Sequence, residues 1–241
     1  MKSNPLHTTI FTASFKLEAD LLQMVNMVYN GDMETCGAPT YNLDDQAHCV
    51  MLAYKNWGKT YKGISNGNLI AFSSIHPRYI KACWNHDIEL KILTLDYTGY
   101  TDLNKLEGLI DDSTLAILCS APANATGWLD PVEKLGALAQ EHQIGLHVDS
   151  AFGMLVPFIE DAGINMTEKF DFWVPGVSTI SVGLNNYGQM PPGSAVLLFR
   201  TKQLRWCIFF GYGQWPGGLY CAVGLVGSRT SSATAACWTK I

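Results

Sequence analysis

The run Ile144-Gly145-Leu146-His147-Val148 constrains this chain most. It is short and almost wholly apolar, the pattern of a strand buried on both faces, and it ends on Asp149 followed by the small residues Ser150-Ala151. A carboxylate at the C-terminal end of such a strand lies where α/β sheets place their ligands. Taken alone, the same aspartate also reads as a turn or helix N-cap residue. Two more strands follow: Ser178-Thr179-Ile180-Ser181-Val182, then Ala195-Val196-Leu197-Leu198-Phe199 behind the turn Pro191-Pro192-Gly193-Ser194.

Upstream the pattern alternates. Phe15, Leu17, Leu21, Leu22, Val25 and Val28 recur at helical spacing over Ser14 to Tyr29, and Asn30-Gly31 supplies a stop. Helices are predicted from Asn42 to Trp57, from His76 to Cys83, after Thr101-Asp102, and from Asp130-Pro131 to His142, the last with an Asp cap and proline at its first position. Between them Leu69–Ser73, Ile88–Leu93 and Leu115–Cys119 read as strands, and Gly58 to Asn68 as a loop. Repeated strand–helix alternation predicts an α/β fold, a three-layer α/β/α arrangement with a mostly parallel sheet. A final helix is predicted over Ser231 to Trp238.

Composition excludes several function classes. A hydrophobic fraction of 48% with 15% charged residues is that of a folded globule, and 241 residues suffice for one α/β domain with a substantial core. A net charge of -5 gives no footprint for nucleic acid. Seven scattered cysteines without a Cys-x-x-Cys pair argue against a metal or disulfide framework and for a reducing, cytoplasmic compartment. No apolar run reaches the roughly 18 to 20 residues that span a bilayer.

An aspartate on one strand and a lysine after a later one is how pyridoxal-phosphate enzymes are built: the carboxylate pairs with the protonated ring nitrogen and the amine holds the aldehyde. The segments HVDSAFG, FDFWVPGVSTIS, NYG, PPGSAVLLF and GGLYCAVGLVGSRTSSATAACW resemble the sphingosine-1-phosphate lyase family, in the group II decarboxylase-like branch of fold-type-I pyridoxal-phosphate enzymes. The resemblance runs from Asn4 to Trp238. It implies an N-terminal helical segment over 1–40, a cofactor-binding large domain over 41–241, and absence of the family's small C-terminal domain. The family activity is carbon–carbon cleavage of phosphorylated sphingoid bases, which brings in a lipid-phosphate substrate. The implied partner is a second copy or a full-length homologue, and a partner could hold the chain peripherally at the endoplasmic reticulum.

The resemblance carries its own contradiction. The family's His-Lys-Tyr-Gly run, whose lysine forms the Schiff base, reads Asn185-Asn186-Tyr187-Gly188 here. A neutral amide at Asn186 cannot replace that amine, which predicts a pseudoenzyme. The alternatives are an active lyase or decarboxylase using another lysine, with Lys169 and Lys202 the nearest, or an unstable truncated fragment. The resemblance assigns Asp149 to the ring nitrogen and His76 to stacking on the ring, although His76 before Pro77 also reads as an N-cap. It assigns Gly227 and Ser228, in Gly227-Ser228-Arg229, to a partner subunit's cofactor phosphate. The family's phosphate-binding Gly-Gly-Thr-Glu-Ser becomes Asn42-Leu43-Asp44-Asp45-Gln46, which keeps a helix cap but sets two carboxylates at the positive helix end. Pyridoxal phosphate is therefore the implied cofactor, with its binding weakened, and no metal is expected.

Overall fold

The computed structural model describes residues 3–96, 98, 102–152, 154, 168–186 and 190–241. Seven strands pair in the order β1 (Cys36–Thr40), β7 (Ala195–Phe199), β6 (Thr179–Gly183), β5 (Gly145–Ser150), β4 (Thr114–Ser120), β2 (Asn68–Phe72) and β3 (Glu89–Leu93). Only β7 runs against its neighbours; the other pairs in this sheet are parallel. The expected α/β fold with a mostly parallel sheet is therefore present. β5, the strand that opened the sequence reading, is its middle member.

The burial pattern follows from this position. Strands β4 through β7 are buried along their whole length, as strands covered on both faces must be. On one face α1 (Thr12–Val28), α4 (Leu103–Glu107), α5 (Val132–Glu141) and α7 (Ser231–Lys240) contribute Leu21, Val25, Leu106, Leu135 and Cys237 to a core with Leu146 and Val148 of β5. On the other, α2 (Leu43–Trp57), α3 (Pro77–Asn85) and α6 (Lys202–Trp206) bring Val50, Tyr54, Tyr79 and Leu204 against Leu118 and Leu197. Three layers result.

Local details correct some expectations and sharpen others. Asp130 does not cap α5; Pro131 holds the cap position, and Asp130 turns back so that its Oδ2 accepts the Ser120 N–H at 2.7 Å. At the end of α1 it is Asn30, not Gly31, that takes the left-handed backbone, at φ 54°. The Gly58 to Asn68 loop begins as a π-helical turn, Gly58–Lys62, continuous with α2. Asp102 caps α4 by accepting the N–H groups of Asn104 and Lys105; Thr101 lies outside the described residues. A hairpin of β8 (Phe209–Trp215) and β9 (Gly218–Val223) stands apart from the main sheet. Among the described residues no helix is long and apolar enough to cross a membrane.

Candidate active site

Strand alternation decides which way β5 points its polar residues. Leu146 and Val148 enter one core, so Gly145, His147 and Asp149 face the α2–α3 layer. Gly145 is required there, because a Cβ would come within 2.3 Å of the Tyr54 ring. Asp149 sits at the C-terminal edge of the sheet with only 2% of its surface exposed. Arg78 Nη2 lies 3.5 Å from its Oδ2, and Oδ1, also buried, has no hydrogen-bond partner. Burial raises the Asp149 pKa to about 6, with the Arg78 charge and then the Tyr79 hydroxyl acting against that rise.

Arg78 links two of the expected site residues. His76 caps α3, its Nδ1 accepting the Arg78 N–H at 3.1 Å. The N-cap geometry considered for His76 is thus realised, and Pro77 follows it at the start of the helix. Burial, and then the Arg78 charge, hold the His76 imidazole below its ordinary pKa.

Beneath Asp149 lies a buried polar chain. His147 Nε2 is 2.7 Å from the Tyr79 hydroxyl and 3.3 Å from Ser181 Oγ, while Nδ1 is 2.8 Å from Thr179 Oγ1. Thr179 Oγ1 is in turn 2.9 Å from the Tyr54 hydroxyl. Burial first and Arg78 second push the His147 pKa down to about 3, so the ring is neutral. The sequence reading singled out neither Arg78 nor His147. Each left a signal: His147 precedes Asp149 by two on one strand, and an arginine in a first helical turn opposes the helix dipole unless an acid holds it.

Asn186 stands at the same sheet edge. Its Nδ2 donates to the Ala151 carbonyl at 2.9 Å, two residues beyond Asp149. Packing is close here, for a Cβ on Gly183 would lie 2.8 Å from the Ala151 oxygen and 3.4 Å from the Leu43 methyls. Tyr187-Gly188 lies outside the described residues. The Gly227-Ser228 loop is held elsewhere: Asn4 Nδ2 donates to Ser228 Oγ at 2.9 Å, and Arg229 makes a two-pronged pair with Glu18 of α1 at 2.7–3.1 Å. The structure therefore links His76 to Asp149 through Arg78, sets Asn186 against Ala151 two residues beyond Asp149, and ties Ser228 to the N-terminal segment of its own chain.

The start of α2 engages two of its backbone donors with its own side chains. Asn42 Oδ1 accepts the Asp45 N–H at 2.8 Å, and Asp45 Oδ2 accepts the Tyr41 N–H at 2.9 Å. Asp44 lies 3.6 Å from Lys81 on an exposed surface. Such reciprocal capping stabilises the helix with the groups a bound anion would otherwise meet.

An aminotransferase class-V family pattern matches residues 72–157, from the last residue of β2 to beyond Asp149. Sphingosine-1-phosphate lyase 1 of Mus musculus is 33% identical over 240 residues, covering 99% of this chain. The sphingosine-1-phosphate lyase of Saccharomyces cerevisiae is 34% identical over 242 residues, again covering 99%. The solved sphingosine-1-phosphate lyase of Burkholderia pseudomallei superposes with a TM-score of 0.94 at 28% identity over 98% of this chain. The chain is a relative of the sphingosine-1-phosphate lyases. It spans 42% of the mouse lyase, 41% of the yeast lyase and 56% of the bacterial chain. Glutamate decarboxylase of Lactobacillus brevis shares the fold, at TM-score 0.84 and 19% identity, with 99% of this chain and 57% of that one covered.

Lyase relatives of this kind are pyridoxal-phosphate enzymes, which calls for three features at the edge just described. A carboxylate for the ring nitrogen is present in Asp149, whose unpartnered Oδ1 could accept an N–H, but Arg78 already stands at Oδ2. For the aldehyde there is an amide, bonded to Ala151. For the phosphate there is a capped helix end carrying Asp44 and Asp45. Among the described residues, those at this edge do not fit a Schiff-base cofactor.

Proposed function

We propose that this chain is a sphingosine-1-phosphate-lyase-like pseudoenzyme, a scaffold of that family in which the covalent chemistry has been lost. The observation that carries the reading is Asn186: an amide that cannot act as a nucleophilic amine, donating 2.9 Å to the Ala151 carbonyl in the position where the resemblance puts the lysine. Neither Lys169 nor Lys202 supplies the amine. Lys202 follows β7, which runs opposite to β5, so it lies at the far edge of the sheet and pairs with Glu34. Lys169 is tied through its backbone N–H to Glu133 of α5, in the layer that His147 and Asp149 face away from. A Schiff base needs its amine placed to within about an ångström.

The activity against which loss is measured is that of the relatives, cleavage of a phosphorylated long-chain amino alcohol. An assay of purified protein with such a substrate and excess pyridoxal phosphate tests the reading. Long-chain aldehyde should not exceed that from protein-free controls, and sustained turnover would overturn it.

The same proposal includes self-association, or pairing with a full-length relative. Its support is the β8–β9 hairpin, where Phe210, Tyr212, Trp215 and Tyr220 form a shallow aromatic surface and Leu219 is 78% exposed. Contiguous apolar surface of this sort usually marks an interface. Light scattering should report a dimer at micromolar concentration, and a Leu219→Asp, Phe210→Asp variant a monomer; a wild-type monomer that also fails to pair with a co-expressed full-length relative would contradict the assignment.

A further inference from the structure

We propose that Arg78 is a built-in counterion: its guanidinium gives Asp149 the positive charge that the protonated ring of pyridoxal phosphate would bring, so the chain completes this carboxylate without a cofactor. The inference rests on the reading of Asp149 as the ring-nitrogen partner. Its first support is placement. His76 caps α3 and Pro77 follows, which fixes Arg78 in the first helical turn. A cation at that end opposes the helix dipole, so a helix gains nothing by having it there. What holds it is the acid across the layer, 3.5 Å away on the central strand.

Burial is the second support. The Arg78 and Asp149 side chains are only 5% and 2% exposed, and a charge so placed is tolerated only beside its opposite. Their contact is one of charge rather than a hydrogen-bonded fork, since Arg78 Nε and Asp149 Oδ1 are both buried without a partner. The guanidinium also lowers the pKa of His76 and of His147, as a fixed positive charge between them should. A ring cation docking on Asp149 would therefore meet a second cation already sharing its carboxylate, and the preference for a protonated ring would be lost.

Pyridoxine separates this proposal from the loss of the Schiff base, because it carries the pyridine ring but neither aldehyde nor phosphate. Its binding would be measured by equilibrium dialysis to wild type, Arg78→Ala, Arg78→Lys, Asp149→Asn and the double variant R78A/D149N. We expect wild type and Arg78→Lys to retain no more pyridoxine than Asp149→Asn. Arg78→Ala should bind at least tenfold more tightly than wild type, and R78A/D149N should lose that gain. Equal binding by Arg78→Ala and wild type would overturn the proposal. Should Arg78→Ala not fold, the remaining comparison decides: wild type binding pyridoxine more tightly than Asp149→Asn overturns it, and equal weak binding upholds it.

Discussion

His147 Nε2 lies 2.7 Å from the Tyr79 hydroxyl, joining the central strand to α3 directly below Asp149. Both partners are fully buried where water cannot reach, and each has a further contact for the same atom in Ser181 Oγ, at 3.3 Å. Tyr79→Phe would leave His147 Nε2 only Ser181 Oγ, at 3.3 Å. Leaving a buried group poorly paired costs about 1–3 kcal/mol, and the Ser181 contact argues for the lower end. Chemical denaturation should show a loss of about 1 kcal/mol; an unchanged midpoint would mean the contact contributes nothing.

Asp130 makes stability depend on pH in an unusual direction. Burial raises its pKa to about 7, with the Ser120 N–H acting against the rise. Because the folded value exceeds the unfolded one, near 3.8, the folded state holds the proton more tightly. Its contribution is fully present below the unfolded value and is lost as pH rises through about 7. Asp130→Asn has no such proton, so it should gain on wild type as pH rises. Between pH 5 and 8 the relative gain should be about 2–3 kcal/mol at 1.4 kcal/mol per pKa unit. Parallel melting curves across that range check this, and a constant difference would refute it.

Glu18 and Arg229 bind the Gly227-Ser228 loop to α1. Both side chains are largely buried, and burial raises the Glu18 pKa against the pull of Arg229. Removing one member of such a pair strands the other, at about 3–5 kcal/mol. Glu18→Ala should fall near 3 kcal/mol, because Arg229 retains some solvent access. Hydrogen exchange should also accelerate over 225–230; protection equal to wild type would show that the loop is held by other contacts.

Most of the fold was legible in the sequence, and the reasons are particular. The strands at Gly145, Thr179 and Ala195 are buried on both faces, so each carries a short run dominated by apolar and small residues, and the polar ones that interrupt it, His147, Asp149, Thr179 and Ser181, are the ones that bond one another or the site. β1 escaped notice because Cys36-Gly37-Ala38-Pro39-Thr40 is an edge strand whose composition carries no strand signal. The hairpin was missed because Gly211, Gly213 and Gly218 interrupt the alternation of its strands. At the site, Asp149, His76 and Asn186 could be found from strand ends and from the resemblance. Arg78 and His147 could not, since their roles arise from pairing across layers that no local pattern records.

Restoring one residue should not restore cofactor binding. Asn186→Lys returns an amine, but the start of α2 still presents Asp44 and Asp45, with the Asp45 N–H engaged by Asn42. Each charge-assisted hydrogen bond to phosphate contributes about 1.5–3 kcal/mol, so two absent ones weaken binding roughly a hundredfold or more. Adding Asn42→Gly, Leu43→Gly and Asp44→Thr to Asn186→Lys should therefore bind pyridoxal phosphate at least about a hundredfold more tightly than Asn186→Lys alone. Equal, tight titration curves would remove the phosphate argument.

The central claim is that no lysine of this chain forms the family's Schiff base. Wild-type protein would be incubated with pyridoxal phosphate at a stoichiometric ratio, reduced with borohydride, and its intact mass and peptides measured. The account predicts unmodified protein, or trace labelling spread over exposed lysines such as Lys81 and Lys202. A single lysine labelled in full, and protected from labelling in Asp149→Asn, would contradict it.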